Sequence, residues 1–173
     1  MRLKNILIAG IIGGVAIFAP KCHGKGENHV TVGEYKAFLL KFEGVRNEPY
    51  RDSRGNLTVG IGHLIVEGRE KVKKVYRADE IDQLFREDLA RAIEDARRLI
   101  PSFDSKSKNV KLILVSLVFN MGRGGASKFK KFLGAINSSE YLLAAKELKN
   151  SLWYKQVGRR GLHHFNVLAA ENA

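Results

Sequence analysis

The feature that most constrains the fold is a long segment with helical periodicity over residues 79–100. Its apolar side chains recur every three or four positions and its charged side chains occupy the opposite face, which predicts an amphipathic helix. Pro101 follows at once, and a proline cannot continue a helix. Residues 110–119 are almost wholly apolar, which is typical of a central helix, and Met121 and Gly122 are predicted to close it. In a chain of 173 residues, these helices predict one substantial core.

Another helix is predicted to begin at Thr31, because Thr31 and Glu34 have the spacing of a capping box. Apolar residues at helical spacing continue as far as Phe42, and Gly44 is a residue type that ends helices. Glu43 is therefore expected at a helix end. Three shorter helical stretches are predicted downstream, over residues 127–137, 139–150 and 152–168.

Residues 49–66 have a different character. Residues 52–56 are rich in turn formers, and residues 57–61 are short, β-branched and interrupted by glycine, which predicts a small β-hairpin. Gly60 and Gly62 remove side chains from a strand. Either a ligand approaches the backbone closely at these positions, or the glycines mark a bulge or tight bend.

The chain is strongly basic, with 30 Lys and Arg against 18 Asp and Glu and a formal net charge of +12. An acidic polymer is therefore the expected partner, and nucleic acid, anionic lipid and bacterial cell wall all qualify. Cys22 is the only cysteine, which excludes an intrachain disulfide and a zinc site built from several thiolates. We expect Cys22 to be a structural bystander, and neither a cofactor nor a metal is implied.

The N-terminal segment is predicted to be an export signal. Arg2 and Lys4 precede an uncharged apolar run over residues 6–20, and Lys21 follows it. As a helix this run would extend roughly 22 Å, which is short of the roughly 30 Å hydrocarbon core of a bilayer. Residues 1–23 are thus predicted to be either a cleavable signal peptide or a weakly held signal-anchor. Residues 24–30 are predicted to be a linker, and residues 31–173 the folded domain.

Two carboxyl residues stand in contrasting surroundings. Glu43 follows an aromatic helix face that includes Phe42, so partial desolvation favours its protonated form. Asp52 lies among arginines, whose charges favour the carboxylate. These arginines are Arg46, Arg51 and Arg54. A protonated carboxyl beside an ionised one is the pair that glycoside hydrolysis requires.

The spacing of these residues makes the pattern specific. Eight residues separate Glu43 from Asp52, and five separate Asp52 from Thr58. This spacing and the whole hairpin sequence resemble the catalytic signature of glycoside hydrolase family 24, the phage lysozymes of the T-even type. The similarity continues through residues 84–88, 118–122 and 151–156, and it covers about residues 31–168.

The resemblance implies a role for several side chains. Glu43 would be the general acid, Asp52 the carboxylate that positions or activates the attacking water, and Thr58 the hydroxyl partner of that water. Leu64 and Phe119 would line the saccharide cleft.

Three further positions have structural as well as functional interpretations. Asn120 follows a cleft position, so we expect it either to hydrogen-bond the substrate or to cap a helix end. His63 and Asp88 match a buried ion pair of the family, which gives His63 a structural role.

Other positions depart from the family or depend on charge alone. Phe132 and Glu147 stand where the family has a serine and an asparagine in the cleft, so the outer subsites are expected to differ. Arg159 and Arg160 are predicted to form a solvent-exposed basic face that attracts anionic wall polymers.

The resemblance implies an α+β, mainly α fold. It is the lysozyme-like two-lobed fold, with a small β-hairpin lobe, a long connecting helix and a helical C-terminal lobe. The implied activity is that of an inverting N-acetylmuramidase, which cleaves the β-1,4 bond between N-acetylmuramic acid and N-acetylglucosamine in peptidoglycan. The export segment favours an endolysin that acts in host cell lysis, first at the inner membrane through residues 6–20 and then in the periplasm. We expect a monomer that does not bind nucleic acid.

Two other classes of function remain open at this point. A noncatalytic, membrane-tethered basic module that binds cell wall would also account for the net charge and for the altered outer subsites. A nucleic-acid-binding protein would rest on charge alone, because the sequence contains no recognisable base-reading motif.

Overall fold

The computed structural model describes residues 28–52, 55–69 and 71–171. These residues form a mainly helical α+β fold with one small antiparallel sheet, as expected from the sequence. The helices are α1 (Val32–Leu39), α2 (Ala78–Leu99), α3 (Lys108–Ala126), α4 (Lys130–Asn137), α5 (Tyr141–Lys149), α6 (Leu152–Val157) and α7 (Arg159–Ala170). The strands are β1 (Arg46–Arg51), β2 (Leu57–Gly60) and β3 (His63–Leu64), and a 3₁₀ turn covers Phe103–Ser105.

Helix α1 begins as its capping box predicts. The Thr31 hydroxyl accepts a hydrogen bond from the Glu34 backbone N–H, and the Thr31 backbone N–H donates to the Glu34 carboxylate. The helix ends at Leu39, earlier than predicted, because Phe42 and Glu43 both donate to the Leu39 carbonyl and close a tight turn. Glu43 therefore lies in the turn that follows α1.

The predicted hairpin is a sheet of three strands in the order β1, β2, β3. Thr58 pairs with Tyr50 on one side and with Leu64 on the other. Gly60 has a φ of +65°, and a Cβ built on it would lie 3.0 Å from Cγ2 of Ile81 on α2. The close approach at Gly60 is therefore made by a helix of the protein, and glycine lets the sheet pack directly against α2.

The long helices have the predicted character. Helix α2 buries one stripe, whereas α3 is buried over most of its length from Val110 to Val118. Gly122 leaves helical geometry with a φ of +69°, so it interrupts α3 where the sequence predicts the helix to close, and a further helical segment continues to Ala126. The predicted helix over residues 152–168 is divided by Gly158, whose φ of +52° separates α6 from α7.

The folded body begins before Thr31. Val30 is buried in the hydrophobic core, and the Lys111 ammonium donates to the Asn28 carbonyl at 2.7 Å, so this end of the predicted linker packs onto the domain. The predicted apolar run over residues 6–20 and Cys22 lie outside the described residues. None of the helices within the described ranges combines the length and apolar character needed to cross a membrane.

Candidate active site

Glu43 forms an ion pair with Arg160 of α7. The Arg160 Nη2 donates to Glu43 Oε1 at 2.6 Å, and the two side chains are 6% and 22% exposed respectively. Oε2 of Glu43 makes no hydrogen bond within the described part of the chain. A cavity of about 340 Å³ opens at this pair, and its lining combines polar and apolar residues. They are Lys41, Phe42, Glu43, Asn120, Val157, Arg159 and Arg160.

The prediction that Arg159 and Arg160 share a solvent-exposed face is wrong for Arg160. Arg159 is exposed, but Arg160 is buried, and its guanidinium carbon lies 5.1 Å from the centroid of the Phe42 ring. The aromatic neighbour expected for Glu43 is thus present, but it also covers a cation that binds the carboxylate. The surroundings of Glu43 are therefore both apolar and charged.

Asp52 lies in the turn between β1 and β2. One carboxylate oxygen accepts from the Asn56 backbone N–H at 2.8 Å and the other from the Asn56 side-chain amide at 3.1 Å. The Gly55 N–H donates to the Asp52 carbonyl at 2.9 Å. Thr58 is buried, and its hydroxyl donates to the Asn56 carbonyl at 3.2 Å. Asn56 therefore contacts both Asp52 and Thr58.

The arginines predicted to surround Asp52 have identifiable contacts of their own. Arg51 donates to the Gly55 carbonyl at 2.8 Å, which stabilises the same turn. The guanidinium of Arg46 lies 4.5 Å from the centroid of the Tyr50 ring. Arg54 lies outside the described residues.

Leu64 and Phe119 line a common cavity of about 250 Å³. Leu64 is 51% exposed and also lines the neighbouring cavity beneath the hairpin, together with Asn56. Asn120, which follows Phe119 in α3, lines the Glu43 cavity. Leu64 is thus shared by two of these cavities, whereas Phe119 and Asn120, which are consecutive in α3, line different ones.

Asn120 lies in the last turn before the kink at Gly122, but its side-chain oxygen contacts α6 and does not cap the helix end. Its side-chain oxygen accepts from the Trp153 indole N–H at 2.9 Å. The amide group of Asn120 has no other hydrogen-bond partner among the described residues, so its NH₂ remains able to donate to a ligand in the Glu43 cavity.

His63 and Asp88 are in contact. His63 Nδ1 lies 2.8 Å from an Asp88 carboxylate oxygen, and both side chains are largely buried. Arg91 contacts the other oxygen of the same carboxylate. The contact joins β3 to α2, next to the cavity that Leu64 lines.

The two positions at which the resemblance implies other residues, Phe132 and Glu147, lie together. Phe132 is buried in the core of the C-terminal helices, and Glu147 is partly exposed beside it. Both line a cavity of about 410 Å³ that also contains three lysines, namely Lys128, Lys130 and Lys131.

Arg160 is the site residue that the sequence analysis misjudged, although a signal for it exists. Arg160, His164 and Leu168 follow one another at intervals of four residues, and all three are buried. A charged side chain on the buried stripe of a helix requires a buried partner. Glu43, more than a hundred residues earlier in the chain, is that partner.

Comparison with known proteins agrees with the resemblance seen in the sequence. The phage lysozyme family model matches residues 40–164, which is more than half of the chain. Probable T4-type lysozyme 2 of Dictyostelium discoideum is 33% identical over 152 residues, covering 75% of this chain and 89% of that relative.

Two phage proteins are also similar. The pre-baseplate central spike protein Gp5 of Enterobacteria phage T4 is 31% identical over 144 residues, covering 70% of this chain and 25% of the spike protein. Peptidoglycan hydrolase gp36 of Pseudomonas phage phiKMV is 30% identical over 129 residues, covering 75% of this chain and 14% of that protein. The chain belongs to the phage lysozyme family.

Proposed function

We propose that this lysozyme hydrolyses the glycan strand of peptidoglycan with Glu43 as the general acid and Asp52 as the carboxylate that positions or activates the attacking water. Its activity is that of a muramidase, which cleaves the β-1,4 bond between N-acetylmuramic acid and N-acetylglucosamine. One observation carries this assignment. The Glu43 carboxyl is held at Oε1 by a buried arginine at the edge of a polar cavity, while Oε2 has no hydrogen-bond partner among the described residues.

The geometry at Glu43 suits proton donation. Arg160 fixes the orientation of the carboxyl group, so the chain holds Oε2 ready to protonate the leaving glycosidic oxygen. Phe42 and Glu43 line the same cavity, and a sugar bound there would exclude water from the carboxyl group. The Asn120 amide, in the same cavity, would donate to a sugar hydroxyl or acetamido oxygen.

The turn between β1 and β2 suits the second role. Both carboxylate oxygens of Asp52 accept hydrogen bonds from Asn56, which holds the carboxylate in a fixed orientation. The Thr58 hydroxyl donates to Asn56, and its oxygen can still accept a hydrogen bond from a water molecule. We infer from the family resemblance that the reaction proceeds with inversion, since a water between the two carboxyl groups would attack the sugar directly.

The decisive experiment compares Glu43→Gln with Glu48→Gln. Both changes replace a carboxyl by an amide, but Glu48 is an exposed residue of β1. We expect Glu43→Gln to lower the rate of release of reducing ends from purified peptidoglycan by at least about 100-fold, because the leaving oxygen loses its proton donor. Glu48→Gln should match the wild type. Equal rates for all three proteins would refute the role of Glu43.

The same assay separates the enzyme from a noncatalytic wall-binding module. A binding module would sediment with peptidoglycan and release no reducing ends in any variant. Proton NMR of the fresh product tests inversion, because an inverting enzyme forms the α-anomer from a β-linked substrate and a retaining enzyme forms the β-anomer.

We also propose that residues 6–20 hold the protein at the host inner membrane before it acts in the periplasm during host lysis. The proposal is supported by Arg2 and Lys4 ahead of an uncharged run that is short for a permanent anchor. We expect full-length protein in the membrane fraction of energised cells, and in the periplasmic fraction after the membrane potential is collapsed. Immediate processing to a shorter soluble form would instead identify a cleavable signal peptide. The periplasmic form is expected to be a monomer by light scattering.

A further inference from the structure

Helix α7 carries two buried polar atoms without a hydrogen-bond partner among the described residues, and one of them belongs to the arginine that holds Glu43. Arg160 Nη1 and His164 Nδ1 are shielded from solvent and make no hydrogen bond to any described residue. The two residues are four positions apart, so their side chains are neighbours on one face of the helix. Both also pack against the Phe42 ring, with the Arg160 guanidinium carbon at 5.1 Å and the His164 ring at 5.7 Å from its centroid.

The His164 ring is neutral and has a defined partner on its other side. Burial, assisted by the positive charge of Arg160 and by His163, lowers the pKa of His164 to about 3. Its Nε2 lies 3.1 Å from the hydroxyl oxygen of Ser116 in α3. A neutral imidazole has one donor and one acceptor. With the proton on Nε2, the ring donates to Ser116 and presents Nδ1 as an acceptor.

Arg160 Nη1 can only donate, and His164 Nδ1 in this tautomer can only accept. One water molecule placed between the two atoms would satisfy both, since it would accept from the guanidinium and donate to the imidazole. The guanidinium is planar and rigid, so a contact at Nη1 determines where Nη2 points. Nη2 is the atom that holds Glu43 Oε1.

We propose that His164 is a positioning residue for Glu43, which it orients by holding the Arg160 guanidinium through one buried water. The contacts then run from Ser116 through His164, the water and Arg160 to the carboxyl group. This inference rests on the proposed role of Glu43 as general acid. His164 itself does not contact the substrate, because its ring is fully buried among aromatic side chains; these are Phe38, Phe42 and Trp153.

The test uses two variants of His164 in which a side-chain amide takes the position of one of the two ring nitrogens. In His164→Asn the amide group stands at the position of Nδ1, and in His164→Gln it extends to the position of Nε2. We expect His164→Gln to lower kcat about tenfold with KM within about twofold of the wild type, because misplacing the acid affects the chemical step. His164→Asn should lower kcat only about twofold. Activities are measured well below the thermal unfolding transition of each variant.

Equal kcat values for the two amide variants would overturn the proposal. A second measurement does not depend on any variant. The ¹⁵N chemical shifts of the His164 ring in the wild-type enzyme should report a protonated Nε2 and an unprotonated Nδ1, whereas a proton on Nδ1 would contradict the proposal. Glu43→Gln separates a failure of the role proposed for Glu43 from a failure of the role proposed for His164. If it retains activity, the role of Glu43 fails; if it is inactive while the amide variants behave alike, only the role of His164 fails.

Discussion

The two parts of the described chain differ sharply in charge. Residues 28–105, called here the N-terminal region, contain fourteen basic and fourteen acidic residues. Residues 106–171, called here the C-terminal lobe, contain twelve basic and only three acidic residues. The positive charge of the folded body therefore belongs to the C-terminal lobe, whereas both proposed catalytic carboxyls belong to the N-terminal region.

The ion pairs of the two regions differ in the same way. Several acids and bases on α2 pair with each other three or four residues apart, as Arg98 does with Glu94 at 3.1 Å. Among the described residues, every ion pair of a C-terminal lobe cation crosses to an acid of the N-terminal region. These pairs are Lys108 with Glu34, Arg123 with Asp95, and Arg160 with Glu43. The lobe thus supplies both a field that attracts an anionic polymer and a buried cation that orients the acid.

Two arginine–glutamate pairs can be compared, the buried pair of Arg160 with Glu43 and the exposed pair of Arg98 with Glu94. Breaking the buried pair should have the largest effect. Arg160→Met leaves the Glu43 carboxylate without its partner in a largely buried site, so we expect a loss of about 3 kcal/mol in the free energy of unfolding and a fall in kcat of about 100-fold. Arg98→Met breaks an exposed pair, which should cost about 0.5 kcal/mol or less and leave kcat unchanged.

Urea unfolding and peptidoglycan turnover measure the two effects separately. If Arg160→Met were no more damaging than Arg98→Met, the Arg160 contact would be unimportant for orienting the acid. If Arg160→Met were as stable as the wild type but had a low kcat, Arg160 would orient Glu43 without contributing to the stability of the fold.

The contrast also shows what the sequence could predict. The capping box at Thr31, the periodicity of α2 and the apolar run of α3 are local patterns, and each predicts its element correctly. The roles of Glu43, Asp52 and Thr58 come from their spacing and the family resemblance, and they stay predictions. Arg160 could not be placed in this way, because its environment depends on a glutamate 117 residues away.

Contacts between distant elements also act at positions for which the sequence left alternatives open. Gly60 is required by Ile81 of α2, and Asn120 is engaged by Trp153 of α6. Gly158 divides a stretch that otherwise has continuous helical character. Local sequence thus identified the elements, whereas the contacts between distant elements determined which side chains became part of the site.

The second prediction concerns pH. His164 in the C-terminal lobe has its pKa lowered to about 3, and an unfolded histidine titrates near pH 6.5. Below pH 6.5 the unfolded chain binds a proton that the folded protein does not, so the free energy of unfolding should fall by up to roughly 1.4 kcal/mol per pH unit between about pH 6 and 4. In the N-terminal region, the Thr31 backbone N–H and Lys108 lower the pKa of Glu34 to about 2, so its contribution is lost only below about pH 4.5.

Urea unfolding at pH 7, 6 and 5 checks this assignment in the wild type and in His164→Asn. The variant lacks the titrating group, so its stability should change less over this range. Parallel pH profiles would show that His164 is not the source of the dependence, whatever the absolute stability of the variant.

The smallest expected effect concerns the surface charge itself. Lys130→Gln with Lys131→Gln removes two exposed charges beside the Phe132 cavity of the C-terminal lobe, and Lys71→Gln with Lys74→Gln removes two exposed charges from the N-terminal region. Both double variants have the same net charge, so only the location differs. If the C-terminal lobe guides the wall polymer into the cleft, the first variant should raise KM for peptidoglycan about threefold at low ionic strength, and the second should leave it unchanged.

Salt tests the physical cause. Near 1 M salt the screening length falls to about 3 Å, so an electrostatic difference between the double variants should disappear, whereas a direct contact of Lys130 or Lys131 with the substrate would persist. Equal changes in KM for both variants at low salt would mean that total charge matters and its distribution does not. The C-terminal lobe would then contribute to the site only through the contact of Arg160 with Glu43.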